Sequence, residues 1–463
     1  MGALSASFHQ ASLDRGSVIV CSKLNKFNRR LVIGRQLTLV IDPCSQEILK
    51  PVHSRVVFSF GVSYIAFMKA LKKKILSACC GAHILHDGYT DLLYVMFPIW
   101  QMAFGLSFAE VGSLKTLYSG AMASLQVPSS MLSERVGEKR LLLFGTLIAA
   151  IGFLLSGWTT GFLGLAACLV LSGIGASVQH PLSSSLTSHA FEGPELRGAL
   201  STYNFSGDIG KVLLPSLCAA LLGIWDWHTV TSVMGLLGLL AVIFLAIVLP
   251  KIKVPNSPKA QSDKPFGYIG KKGAGSNFLN LGFISLSSIA VIDSATRMGF
   301  LTLLPFLLIS KGATVTQVGF ALSLTFAGGA AGKFVCGFIA ARFGVIKTTL
   351  ITEIATTILM GLTLPLSVDI LMLMLPLVGV ALNGTSSGLY GTVPELVPQH
   401  MRSRAFGVFY TLTIGAGAIS PLVYGFAGDR LGVPNAIALI AVSVLFTLPL
   451  TLGLKKDFRR LEV

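Results

Sequence analysis

The chain has 463 residues, 53% of them hydrophobic and only 12% charged, with a mean hydropathy of +0.75. Soluble domains average about 25% charged residues, so this composition excludes an ordinary water-soluble globule and points to a chain that lives in lipid. The net charge of +16 is spread in short clusters between apolar runs, which excludes a nucleic-acid-binding face as its reason.

Residues 1–67 are mixed polar and basic, with Arg29, Arg30 and Arg35, and their longest apolar stretch, Val56 to Met68, is too short to span. No charged start, apolar core and small-residue cleavage site follow one another, so a signal peptide is not expected. Met68 followed by Lys72, Lys73 and Lys74 reads as a natural start. Residues 1–74 are therefore expected to be a mis-assigned start or, alternatively, a disordered cytoplasmic extension.

A membrane-spanning helix needs roughly 20 apolar residues. Twelve segments qualify: 75–100, 107–132, 139–158, 161–187, 197–223, 228–250, 277–310, 314–340, 346–366, 369–393, 403–427 and 434–454. The stretch 251–276, rich in Lys, Pro, Gly and Ser, reads as a solvated linker. It divides the chain into an N-terminal six-helix half (75–250) and a C-terminal half (277–454), followed by a tail (455–463). Lys and Arg gather in the loops on one side, with Arg135, Lys139, Arg140, Arg342, Lys347, Arg402 and Arg404 among them. The positive-inside rule then places both termini and the central loop in the cytoplasm, and the expected location is the inner (plasma) membrane, as a multi-pass protein. Seven cysteines show neither metal-ligand nor disulfide spacing, so no metal and no cofactor are expected.

The two halves repeat. Phe108-Ala-Glu-Val-Gly112 and Val315-Thr-Gln-Val-Gly319 stand 207 residues apart, and the same offset relates Pro98 to Pro305 and Arg135-Val-Gly137 to Arg342-Phe-Gly344. A repeated multi-helix membrane unit is the ground plan of a secondary transporter, with the substrate held between the halves. The loop Ser130-Met-Leu-Ser-Glu134-Arg135-Val-Gly137-Glu138-Lys139-Arg140 resembles the signature loop of the major facilitator superfamily, in which a glycine precedes Asp-Arg-x-Gly-Arg-Lys/Arg. Its second copy runs from Gly337 through Arg342 and Gly344 to Lys347. Here Ser130 replaces the glycine, Glu134 the aspartate and Glu138 a basic residue, and Ala341 lacks the acid. The resemblance implies an all-α fold of twelve transmembrane helices in two six-helix pseudo-repeats, with Glu134, Arg135, Gly137, Arg140, Arg342, Gly344 and Lys347 in cytoplasmic gating loops.

Span one is the most polar. Helical spacing sets His83, Asp87, Asp91 and Tyr94 along one face, with His86 and Thr90 beside it. A charge in mid-membrane costs roughly 2.5–3.5 kcal/mol on insertion scales, so these groups need a cavity, partners or protons. A proton site follows, with Asp87 as carrier, His83 as relay, and Asp91 and Asp208 as further candidates; the proton gradient would be the energy source. The stretch from Ala82 and His83 to Asp87, with Gly173-Ile-Gly175 running to His180-Pro181, resembles the fosmidomycin-resistance-type exporters of that superfamily. Ala82 stands in place of a glycine, and Leu182 in place of an acid.

Asp208 and Lys211 lie three apart in span five, Asp293 and Arg297 four apart in span seven, and Lys333 sits in span eight. With Lys115 these cations outnumber the two acids beside them. The expectation is a basic-walled cavity, lined by His86, Tyr94, His180, Lys211, Asp293, Arg297 and Lys333, that accepts a small anion. The reading is a secondary active transporter, first as proton-coupled efflux of a drug or metabolite, alternatively as proton-linked uptake of an organic acid. A membrane-embedded enzyme is the rival from another class, but no nucleophile–base pair or metal cluster supports it. The partners expected are a small-molecule substrate and the lipid bilayer, with no nucleic acid and the chain acting as a monomer.

Overall fold

A computed structural model describes the backbone of residues 51–249, 280–398 and 401–461, and the side chains of most of these from Met68 to Leu454. The expected linker 251–276 and residues 1–50 lie outside the described residues. Met1–Lys72 and Lys73–Val463 are separate units, and everything below concerns the second.

The first half comprises α1 (Pro51–Phe104), α2 (Phe108–Val136), α3 (Glu138–Ser156), α4 (Phe162–Ala176), α5 (Gln179–Ala190), α6 (Gly193–Leu222) and α7 (Trp227–Val248). The second comprises α8 (Leu281–Ser310), α9 (Val315–Phe343), α10 (Val345–Leu362), α11 (Val368–Leu396), α12 (Arg402–Leu431), α13 (Val433–Val444) and α14 (Thr447–Leu461). Two of the twelve expected segments are each broken into a helix pair, α4–α5 and α13–α14. In both, a proline four residues on removes the N–H that would bond to the last carbonyl: Pro181 leaves Ser177 and Pro449 leaves Leu445 without an i+4 donor. The helix that carries the expected span 75–100 begins before it, at Pro51.

Among the described residues, ten helical segments are long and apolar enough to cross a membrane. The other two of the twelve, α1 and α2, are long enough but more polar: α1 carries two His and two Asp in mid-helix, and α2 carries Lys115 and a run of serines.

The repeat extends to the helix ends. Ser107 and Glu110 form a capping box on α2, and Thr314 and Gln317 form one on α9, at the same 207-residue offset. At the opposite ends, Gly137 (φ 93°) and Gly344 (φ 82°) turn the chain from α2 into α3 and from α9 into α10, a backbone region that L side chains avoid.

The halves meet mainly at the capped ends of α2 and α9. Asp429 near the end of α12 accepts from the amides of Phe108 (2.7 Å) and Ala109 (2.9 Å) at the start of α2, adding negative charge where free N–H groups point outward. Ser323 of α9 donates to the Val212 carbonyl (2.9 Å), and its hydroxyl meets that of Ser216 (2.6 Å), both on α6. The largest buried core, including Phe97, Trp100, Val111, Phe300, Leu304 and Leu322, draws on both halves. A smaller core of Phe283, Leu286, Phe409 and Leu454 belongs to the second half alone. The halves are thus joined at the capped end.

Backbone contact makes that joint sensitive to one atom. A Cβ at Gly112 would stand inside contact distance of the Pro421 carbonyl, whereas one at Gly120 meets nothing within 4 Å. Gly112→Leu should lower the thermal unfolding midpoint of the purified protein, consistent with an overpacking cost of about 1–3 kcal/mol, while Gly120→Ala should leave it unchanged. Equal midpoints would mean that α2 and α12 do not need this approach.

Candidate substrate and proton site

Between the halves lies a cavity of about 290 Å³. Helix α1 lines it with His86, Asp87, Thr90 and Asp91, α5 with His180, and α6 with Asp208 and Lys211. The second half adds Arg297 from α8, Lys333 from α9 and Asn383 from α11. The 3.6-residue period explains the α1 set: its members fall on adjacent turns of one face. The break before α5 puts His180 at a helix start, where its side chain remains 40% exposed.

The charges are chained. Asp87 Oδ2 lies 3.4 Å from Lys211 Nζ, and the same ammonium lies 3.8 Å from Asp208 Oδ1. Asp208 is also held at 2.6 Å by Lys333, across the gap between the halves. On α8, Arg297 reaches back one turn to Asp293 at 3.7 Å.

His83 stands behind Asp87. Its Nδ1 is 2.8 Å from the carbonyl oxygen of Tyr203, and its ring stacks on that tyrosine with centroids 4.2 Å apart. A carbonyl only accepts, so Nδ1 carries a hydrogen. Nε2 then faces Asp87 Oδ1 at 3.4 Å with a lone pair, unless His83 is an imidazolium. One proton between the two satisfies both, whether it sits on the ring or on the carboxyl. His180 Nε2 approaches the same oxygen at 3.7 Å, and its ring packs edge-on against His86, centroids 4.6 Å apart.

His83, Asp87 and His180 bring ligand-type atoms within 4.8 Å of one another, but the Lys211 ammonium already supplies the positive charge at this carboxylate, which disfavours a metal ion.

The sequence-derived candidates divide by position. His86, Asp87, Asp91, His180, Asp208, Lys211, Arg297 and Lys333 line the cavity. Asp293 and His83 are buried directly behind it. Tyr94 is fully buried below and donates to the Met298 sulfur (3.3 Å).

The walls are not basic, and this corrects the sequence expectation. Three acids (Asp87, Asp91, Asp208) balance three cations (Lys211, Arg297, Lys333) along the lining. Span-by-span counting missed this because it paired charges only within a helix, while the fold brings α1 acids to an α6 lysine. Lys115 is not in the cavity: it is 2% exposed, donates to the Thr90 carbonyl (2.7 Å) and lies 4.3 Å from the Tyr94 ring centre.

The loop residues lie away from the cavity lining. Glu134, Arg135, Arg140, Arg342 and Lys347 are exposed. The neighbouring Glu138 accepts from Ser185 and lies 3.3 Å from His189, and Lys139 donates to the Ala246 carbonyl at 3.1 Å. These contacts tie α3 to α5 and α7 within one half.

Sequence reading missed Tyr203, which fixes His83, and Asn383. A lone Asn in the otherwise apolar run of α11 was the available signal; the Tyr203 contact is through a backbone oxygen and leaves no trace in composition.

Lys115 offers a test of structure against function. Lys115→Met removes the charged hydrogen bond from the buried ammonium to the Thr90 carbonyl, a loss of roughly 1.5–3 kcal/mol. The variant should unfold at lower temperature and transport with an unchanged KM; a KM rise of tenfold or more would return Lys115 to the substrate site.

Comparison with known proteins places this geometry. The sequence profile of the Major Facilitator Superfamily matches residues 79–292 and 286–460. The chain is 24% identical over 375 residues to the D-galactonate transporter of Escherichia coli O6:H1, covering 74% of this chain and 86% of that protein. It is 24% identical over 398 residues to the sialic acid transporter NanX of Escherichia coli K12, covering 81% and 93%. Among solved structures, the nucleoside transporter NupG superposes with a TM-score of 0.69 at 15% identity, covering 83% of this chain and 99% of that one. An inward-facing bacterial homolog of the human lysosomal transporter Spinster superposes with a TM-score of 0.66 at 17% identity, covering 84% and 98%. With both halves matched and the twelve-segment repeat in place, the chain belongs to the Major Facilitator Superfamily: it is a multi-pass secondary transporter of small molecules, not an enzyme.

Proposed function

We propose that the protein carries a small organic anion together with a proton, in the uptake direction under an inward proton gradient. One observation carries this reading: every cation of the cavity is already matched by a carboxylate. An anion that takes Lys211 or Arg297 takes it from Asp87 or Asp293, and a buried carboxylate without its partner is costly. Protonation removes that cost. Anion and proton therefore bind with positive coupling, and a carrier that reorients only when empty or doubly loaded is a symporter.

The cavity volume falls just below the usual range of roughly 300–1,000 Å³ for ligand pockets, which suits a compact substrate. Arg297 and Lys333 match a carboxylate, while His86, Thr90, His180 and Asn383 can meet hydroxyl groups. A hydroxylated carboxylic acid of sugar size fits this inventory. The names of similar proteins agree with it: D-galactonate and sialic acid for the two above, and galactarate or D-glucarate for a probable transporter of Escherichia coli K12, 23% identical over 397 residues and covering 78% of this chain and 88% of that one.

The export reading rests on the span-one and His180-Pro181 resemblance and uses the same proton site. It needs proton and substrate to exclude each other, whereas here they compete for nothing: the anion seeks the cations and the proton seeks the acids. The proposed setting is the plasma membrane, with the arginine-bearing end and both termini cytoplasmic by charge bias. A single chain encloses the whole cavity, so a monomer suffices.

The test is uptake into proteoliposomes of labelled D-galactonate, D-glucarate and sialic acid, with the interior alkaline. Wild type should accumulate at least one above equilibrium. Asp87→Asn should abolish accumulation but retain exchange of internal for external substrate. Arg297→Gln should raise KM at least tenfold, about 1.4 kcal/mol. Accumulation only under an outward proton gradient would make the carrier an antiporter and sink the proposal.

A further inference from the structure

Glu353 has no place in the site above. It lies in mid-α10, is 2% exposed, and its Oε1 has no hydrogen-bond partner. A lone carboxylate so placed would carry an unpaid desolvation cost of several kcal/mol, so the sequence must tolerate it by another route.

The hydroxyls beside it show which. The Thr385 hydroxyl, from α11, interacts with the Glu353 carboxyl. Thr385 donates its proton to Thr352 Oγ1 at 2.6 Å. Thr352 in turn donates to the Thr348 carbonyl of its own helix at 2.9 Å. A hydroxyl has one proton, so Thr385 has only lone pairs left to offer Glu353. The chain is complete if Glu353 is the donor: carboxyl to Thr385, Thr385 to Thr352, Thr352 to Thr348.

The charged groups whose fields reach Glu353 are Asp293 and Arg297, both from α8; among the described residues, the packed helices α9, α11, α13 and α14 bring no further charge to it. Arg297 is the cation that lines the cavity and pairs with Asp293 at 3.7 Å. The Arg297 guanidinium is ion-paired with Asp293, and among the described residues Glu353 has no ion pair of its own.

We propose that Glu353 holds a proton and forms, with Asp293 and Arg297, a second proton-binding site in the C-terminal half, separate from Asp87. Asp293 stays ionised while Arg297 faces it, and Glu353 is the neutral member. When an anion draws on Arg297, the same pair is placed to take up a further proton. The site extends the proton-coupled reading to the second half, but its occupancy is measured without transport, so the two stand or fall separately.

The measurement is infrared spectroscopy of the full-length protein in lipid at neutral pH, in the carboxylic C=O stretching region. Wild type should show a protonated-carboxyl band that moves on labelling with ¹³C-glutamate, which separates it from every aspartate. Glu353→Gln should remove one such carboxyl per chain, and Asp87→Asn should leave it. Thr385→Val, which deletes the acceptor and keeps the side-chain shape, should shift the band to higher frequency. Absence of a glutamate-derived band in wild type overturns the proposal even if Glu353→Gln does not fold, and a band that persists in Glu353→Gln overturns it equally.

Discussion

Everything in the site depends on the cost of a carboxylate away from water. Five acids, Asp87, Asp91, Asp208, Asp293 and Glu353, stand in helices that cross the membrane, and the first three face a cavity of about 290 Å³. Each must be matched by a cation or by a proton. Lys211 serves two of them, Asp87 and Asp208, and Lys333 reaches Asp208 from the other half. The result is a set of charges in which no member can change partner without another changing state. The proton coupling proposed above would need no further device than these shared counter-ions.

The fold was legible in the sequence because it is written twice. The 207-residue offset fixed the two halves, and the structure repeats it in the capping boxes of Ser107 and Thr314 and in the turns at Gly137 and Gly344. Segment positions followed from apolar length. The breaks in α4–α5 and α13–α14 were written in Pro181 and Pro449, but a hydropathy reading does not register a missing N–H.

The candidate site was legible as a set of residues and not as a set of partners. Helical spacing gave the α1 face and the pairs Asp208–Lys211 and Asp293–Arg297, since those lie within one helix. The contacts that decide the chemistry join different helices: Asp87 to Lys211, Lys333 to Asp208, His83 to the Tyr203 carbonyl. No local pattern encodes them. Counting cations against acids span by span therefore suggested basic walls, where the folded lining is balanced. Lys115 shows the opposite error, a buried cation satisfied by a backbone carbonyl and two aromatic rings and so removed from the substrate's reach.

The two joints between the halves differ in kind, and the difference suits a rocking carrier. At the capped end the close approach is backbone on backbone at Gly112 and Pro421, and the Asp429 carboxylate accepts from the first amides of α2; these contacts are set by shape and by fixed backbone donors. At mid-depth the link is an ion pair, Lys333 to Asp208 at 2.6 Å, in the lining itself. An ion pair yields to anything that offers either partner a better match, and under the proposed symport a substrate anion would do so for Lys333. Asp208 would then keep Lys211, which also faces Asp87 at 3.4 Å, and Asp87 would be the acid left to take a proton. On that reading, binding, release of the inter-half link and proton uptake would become one event, because they draw on the same two lysines.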